Sequence, residues 1–202
     1  MKNKNLLKQL VGETDIYLID QILKDRYLAS DMVLDAGCGS GRNLHWFLQN
    51  KITIYALDSN HAAIEQLRME NAKLPGKRFV CAPVERMPFA DNFFDHIISS
   101  AVLHFANSSS HFLQMMAEMV RILKPNGTLF IRMTSDIGIE NLATEIQDGV
   151  YNLPDGSVRF LLTRQLLFEE MKRHSLSFIE PLKTVNVEDV RFMSTLMLNK
   201  EK

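Results

Sequence analysis

The sequence contains only two cysteines, Cys38 and Cys81, far apart and without metal-ligand spacing. That argues against a disulfide framework and a zinc site, and fits reduced thiols in the cytoplasm. Neither sign of charge is in excess: 23 Lys and Arg against 24 Asp and Glu give a net charge of −1, with the basic residues scattered. A dedicated nucleic-acid surface is therefore not expected. No apolar run is long enough to span a membrane. There is no repeat or low-complexity segment. The basic start, Met1-Lys2-Asn3-Lys4-Asn5, lacks the following apolar stretch of a signal peptide. The expectation is a single cytoplasmic domain over residues 1–202, monomer or homodimer, away from membranes.

What the sequence does have is concentrated in one place. Met32-Val33-Leu34 reads as a short buried strand, followed by Asp35-Ala36 and then by Gly37, Gly39 and Gly41 at alternate positions. Residues 42–49 read as a helix, with Leu44, Phe47 and Leu48 at helical spacing. Glycine suits such a turn because a residue without Cβ takes positive φ and lets backbone approach a ligand. The helix start is expected to offer free N–H groups to that ligand.

Around this unit the chain alternates. Residues 1–14 read as polar and loose, and residues 15–27 as an amphipathic helix capped by Asp15. Strands are predicted at 52–57, 78–81, 94–100 and 128–133, with helices at 61–71 and 108–123. In the last helix, Phe112, Met115, Met116, Met119, Val120 and Leu123 form one stripe, read as core. Lys124-Pro125-Asn126-Gly127 is read as the turn that ends it. Repeated strand–helix alternation predicts right-handed crossovers and a parallel sheet covered on both faces. After a helix from about 163 to 174, two β-like runs at 176–185 and 190–198 have no helix between them. They predict a hairpin and an antiparallel last strand.

The order D-A-G-x-G-x-G resembles the first motif of class I S-adenosylmethionine-dependent methyltransferases. A dinucleotide turn would need glycine where Arg42 stands. Further segments resemble the same family in the same order: Arg86-Met87-Pro88-Phe89, then Phe94 through His104, then Arg121-Ile122-Leu123-Lys124-Pro125-Asn126-Gly127. The resemblance covers residues 30–135 and, more loosely, the tail. It implies a three-layer Rossmann-like sandwich with a seven-stranded, mostly parallel sheet and an antiparallel last strand. It implies S-adenosyl-L-methionine as cofactor, S-adenosyl-L-homocysteine as product, and Asp35, Gly37, Cys38, Gly39, Gly41, Asp58, Ser59, Val84, Glu85 and Ser100 as cofactor-binding residues. Asp58 is expected at the ribose hydroxyls. Asp35 is expected either at the cofactor's amino-acid end or on the N–H groups of the turn. Pro83 stands where relatives carry the acid that reads adenine, leaving that task to the Val84 backbone and apolar packing.

His104 is the candidate general base, because it follows the fourth strand at the edge where such clefts open. Tyr151, Arg159 and Arg132 are candidate substrate contacts, with Asp136 a further one; Asp95 is expected to be structural. Residues 137–162 are long for a connection. Within them 151–160 reads as a hairpin about Pro154-Asp155-Gly156, a candidate substrate lid. The expected activity is methyl transfer to an unidentified small molecule. The rival readings are a non-catalytic S-adenosylmethionine-binding protein and a nicotinamide-dependent oxidoreductase.

Overall fold

The computed structural model describes residues 4–138 and 142–202. In chain order the elements are α1 (Lys4–Val11), α2 (Ile16–Leu23), β1 (Met32–Ala36), α3 (Leu44–Gln49), β2 (Thr53–Asp58), α4 (His61–Glu70), β3 (Phe79–Cys81), β4 (Phe94–Ser100) and α5 (Ser109–Ile122). Then follow β5 (Leu123–Thr134), β6 (Thr144–Gln147), β7 (Val150–Asn152), β8 (Val158–Phe160), α6 (Arg164–Arg173), β9 (Leu176–Phe178), β10 (Lys183–Val187) and β11 (Arg191–Lys200).

The main sheet runs β10-β11-β5-β4-β1-β2-β3, with β9 an eighth strand on β11. The pairs β1·β2, β1·β4, β2·β3 and β4·β5 are parallel, while β11 is antiparallel to β5, β9 and β10. Successive strand residues face opposite layers. Leu34, Ile97, Leu129 and Ile131 pack with Phe112, Met116 and Met119 of α5 and Leu167 of α6. Val33, Ile98 and Phe130 pack the other way, against Leu18, Phe47, Ile64 and Leu67. The result is the expected three-layer sandwich. From β1 the chain runs outward to β2 and β3, then returns to β4 and β5 on the other side. That reversal opens a crevice beyond the ends of β1 and β4, at Ala36 and Ser100.

Four expectations change. Part of the stretch expected to be loose, residues 4–11, is helix α1, whose Leu6, Leu7 and Leu10 stay exposed. Helix α2 ends at Leu23 rather than 27, because Asp25 takes φ +53. The Lys124–Gly127 turn is absorbed into β5 as a bulge. Pairing passes from Phe94↔Leu123 to His96↔Thr128, with Asn126 at φ +63. Asp95 opposite it accepts from Lys124 Nζ at 2.8 Å and from the Met32 N–H at 2.9 Å, a structural pairing. The run at 176–185 splits into β9 and β10, both on β11.

Strands β6, β7 and β8 form a separate antiparallel sheet within the 137–162 segment, of which residues 139–141 lie outside the described ones. The predicted hairpin is there, as β7 and β8. Gly156 at φ +78 closes its turn, and Asp155 accepts from the Ser157 N–H at 2.9 Å. Phe160 stacks on Phe112 at 4.8 Å between centroids, which fixes the small sheet over the start of α5.

Candidate functional site

The glycine turn is anchored to β2: the N–H groups of Gly37 and Cys38 both donate to the Leu57 carbonyl, at 2.7 and 2.9 Å. Gly37, Gly39 and Gly41 take φ of +78, +52 and +81. Their reasons differ. A Cβ on Gly37 would lie 2.5 Å from a Val102 methyl, and one on Gly41 2.6 Å from a Leu67 methyl. A Cβ on Gly39 would meet no protein atom within 4 Å. Two glycines serve packing, while the middle one keeps open a space the protein does not fill. The helix after the turn begins at Leu44, two residues later than expected, and spans six residues. The N–H groups of Gly41 and Leu44 are already bonded, to Cys38 and Gly41 carbonyls.

Two clefts meet at this turn, sharing Gly37, Gly39 and Ala101. The first, about 570 Å³, takes Asp58 and Ser59 from the end of β2, Pro83, Val84 and Glu85 from the loop after β3, and Val102, Phe105, His111 and Met115. Asp58 Oδ2 accepts from the Gly39 N–H and Oδ1 from the Asn60 N–H, both at 2.8 Å, so the acid braces the turn it faces. His111 Nδ1 accepts from the Asn107 N–H at 3.2 Å, and Nε2 lies 3.4 Å from Glu85 Oε2.

The second cleft, about 560 Å³, is lined by Cys38, Ser40, Arg42, Ser100, His104, Arg132, Val187, Arg191 and Met193 besides the shared residues. Behind it lies Asp15, whose side chain is almost fully buried. Its Oδ1 caps α2 through the Tyr17 N–H at 2.9 Å, as the sequence predicted. Its Oδ2 accepts from Ser100 Oγ at 2.9 Å, Arg132 at 3.1 Å and Arg42 at 3.2 Å. Arg132 also lies over the Tyr17 ring, 5.1 Å from its centroid.

His104 is buried with Nδ1 unpartnered. Burial, and then the charges of Arg159, Arg191 and Arg132, push its pKa down to about 4, so the imidazole is neutral at pH 7. Burial likewise pushes the Cys38 thiol up, so it is inert at neutral pH.

Asp35 is in the lining of neither cleft; it is buried, with Oδ2 unpartnered. Burial raises its pKa to about 7, opposed by a hydrogen bond from Asn43. Gly41 also lies outside the lining. Tyr151 packs beside Leu153, Leu161 and Phe192 and lines neither of these two clefts, and Arg159 lies over the Phe105 ring at 4.8 Å. Sequence reasoning overlooked His111, Arg42 and Arg191 as cleft residues, and the buried half of Asp15. Among the described residues no cluster of His, Cys, Asp and Glu could hold a metal ion.

The model of the methyltransferase domain family matches residues 34–131, from β1 to β5. Over that segment, just under half of the chain, the protein is similar to methyltransferase domains. A phthiotriol/phenolphthiotriol dimycocerosates methyltransferase of Mycobacterium ulcerans is 29% identical over 147 residues, 72% of this chain and 51% of its own. The chain thus spans about half the length of that relative. A tRNA (carboxymethyluridine(34)-5-O)-methyltransferase of Arabidopsis thaliana is 29% identical over 51% of this chain and 24% of its own. The crystal structure of a Burkholderia thailandensis 1,6-didemethyltoxoflavin-N1-methyltransferase, with its substrate and S-adenosylhomocysteine bound, superposes with TM-score 0.67 at 17% identity. It covers 98% of this chain and 82% of its own. The family's cofactor is S-adenosylmethionine, and its match begins within β1, at the strand that leads into the glycine turn.

Proposed function

We propose that residues 1–202 act as one domain that transfers a methyl group from S-adenosylmethionine to a small-molecule acceptor. The observation that carries this is the meeting of two small clefts at Gly37, Gly39 and Ala101. A group transfer needs two compartments that share a wall, and each of these suits a small molecule. The residues fit the cofactor. Gly39 leaves empty the space a side chain would fill, and Asp58 presents a carboxylate in the nucleoside-sized first cleft. With Pro83 in that cleft, the adenine edge falls to Val84 and Glu85; Cys38 and Ser100 lie toward the amino-acid end.

When bound, S-adenosylmethionine supplies a methyl already activated on a sulfonium. This chain's residues have to align the acceptor and exclude water. His104 can take a proton at the unpartnered Nδ1, but a base with pKa near 4 is weak. It suits an acceptor that arrives deprotonated. The small sheet serves as a cover: Asp155 in its turn lies 2.9 Å from Arg191, which lines the second cleft. The two unpaired cysteines support a reducing compartment such as the cytoplasm.

Calorimetry with S-adenosylhomocysteine and with NADH tests the cofactor: the first should bind and the second should not. Metabolite profiling with a labelled methyl donor tests turnover; failure to label any acceptor despite cofactor binding would favour a binding protein without catalysis. Replacing 154–157 with glycine and serine should spare S-adenosylhomocysteine affinity and raise KM for the acceptor so found. An unchanged KM would make the small sheet an ornament.

A further inference from the structure

The second cleft has a charge pattern that the cofactor does not explain. Three guanidinium groups, of Arg42, Arg132 and Arg191, line it, and no carboxylate does. The acids that pair with them stand behind the surface. Asp15 is almost wholly buried beneath Arg42 and Arg132, and Asp155 lies on the small sheet beside Arg191. The charges are not balanced: two arginines share the one Asp15 oxygen, and Arg132 Nε is buried without a partner. Next to them sits a buried histidine, His104, with its Nδ1 unpartnered.

We propose, resting on the methyltransferase reading, that the acceptor is a small oxyanion, a carboxylate or phosphate ester, gripped in the second cleft by Arg191 and Arg132. A planar guanidinium matches an oxyanion with two parallel N–H bonds, and a partly desolvated one gains most from it. Asp15 and Asp155 are two anions against three guanidiniums, and S-adenosylmethionine brings one carboxylate together with an ammonium and a sulfonium, so its binding does not remove the excess of positive charge. Arg191 is the one to assign to the acceptor. It lines only the second cleft, and it comes from β11, which stands three places from β1 and its glycine turn in the sheet. His104, neutral among these cations, adds a polar contact without adding charge, and a site with no acid in its lining does not repel the anion.

The test uses matched pairs on the full chain loaded with S-adenosylhomocysteine, at low salt, by calorimetry. Benzoate and butyrate are compared with benzamide and butyramide; phenyl phosphate and butyl phosphate are compared with phenol and butanol. The two arms tell a carboxylate site from a phosphate site. At least one oxyanion is expected to bind about tenfold more tightly than its neutral counterpart. Arg191→Gln should remove most of that preference while leaving S-adenosylhomocysteine affinity unchanged. Its side chain is well exposed, and a urea midpoint checks that the variant is folded. The proposal is overturned if no oxyanion is preferred to its neutral pair, or if the preference survives both Arg191→Gln and Arg132→Gln. Running the panel without S-adenosylhomocysteine, beside a separate titration of that ligand, keeps the two readings apart. The panel decides the oxyanion and the titration decides the cofactor.

Discussion

The first cleft offers two carboxylates, Asp58 and Glu85, with His111 beside them, while the second offers three guanidiniums and no acid. They share a floor of Gly37, Gly39 and Ala101, yet they are built by different means. The first is made almost wholly from loops at the ends of β1, β2, β3 and β4, the segments the family model matches. The second draws Arg191 and Met193 from β11 and Val187 from β10, outside that match, and it is braced from behind by Asp15. The half that would hold a shared cofactor is local in sequence. The half that would hold an individual acceptor is assembled from distant pieces. That division explains how one fold serves many acceptors: the crevice is a property of the sheet, and its far wall is replaceable.

Substitutions on each side should separate the two. The largest effect is expected at the shared floor. Gly39→Val should abolish S-adenosylhomocysteine binding in calorimetry while circular dichroism still reports a folded chain. The valine side chain would project into space free of protein atoms, although φ +52 costs a β-branched residue some stability. Unchanged affinity would remove the cofactor from the turn. Next comes the first cleft alone. Asp58→Ala should weaken S-adenosylhomocysteine by roughly 2–4 kcal/mol if both ribose hydroxyls bond to it. Part of that loss would come through the Gly39 N–H, which Asp58 holds. Binding within twofold of wild type would show that the acid only braces the turn. Behind the second cleft, Asp15→Ala should lower stability by about 2–3 kcal/mol. That is below the usual loss for a broken buried pair, because Arg42 stays well hydrated. Urea midpoints measure it; a change confined to a few tenths would mean the two arginines find other partners.

The layers were readable because burial writes a period into the chain. Val33 and Leu34, or Ile97 and Ile98, face opposite layers, and the α5 methionine stripe is core as its spacing implied. Helix α1 does carry an apolar stripe, Leu6, Leu7, Leu10 and Val11, but the polar residues around it make the segment read as loose, and Leu6, Leu7 and Leu10 stay exposed. The turn glycines announced a close approach, but only built geometry shows that Gly37 and Gly41 serve packing and Gly39 the cleft. Asp15 was recognisable as a cap through one oxygen, while the work of the other depends on Ser100 and Arg132, brought to it by β4 and β5. The arginine cluster was the least legible part. Arg42, Arg132 and Arg191 are isolated in the sequence and meet because β11 inserts beside β5.

The two buried titratable groups should give stability opposite slopes with pH. Asp35 has its pKa raised from an ordinary 3.8 to about 7, by burial first, with Asn43, Arg42, Asp58 and Asp15 as its polar and charged neighbours. The folded chain therefore binds more protons than the unfolded one between those values. Its contribution to stability is present at low pH and is lost as pH rises toward 7. His104 is the reverse. Its pKa falls from 6.5 to about 4 through burial and Arg159, Arg191 and Arg132, so its contribution is present above 6.5 and is lost as pH falls toward 4. Between pH 4 and 6.5 the two slopes oppose, each at most about 1.4 kcal/mol per pH unit. Asp35→Asn should therefore leave a chain whose urea midpoint climbs more steeply from pH 4 to 6.5 than wild type. His104→Gln should leave one whose midpoint falls relative to wild type across the same range. Every other titrating group is common to the three proteins, so the differences between their curves isolate these two residues. Parallel curves would show that neither group keeps its buried, shifted protonation state in solution.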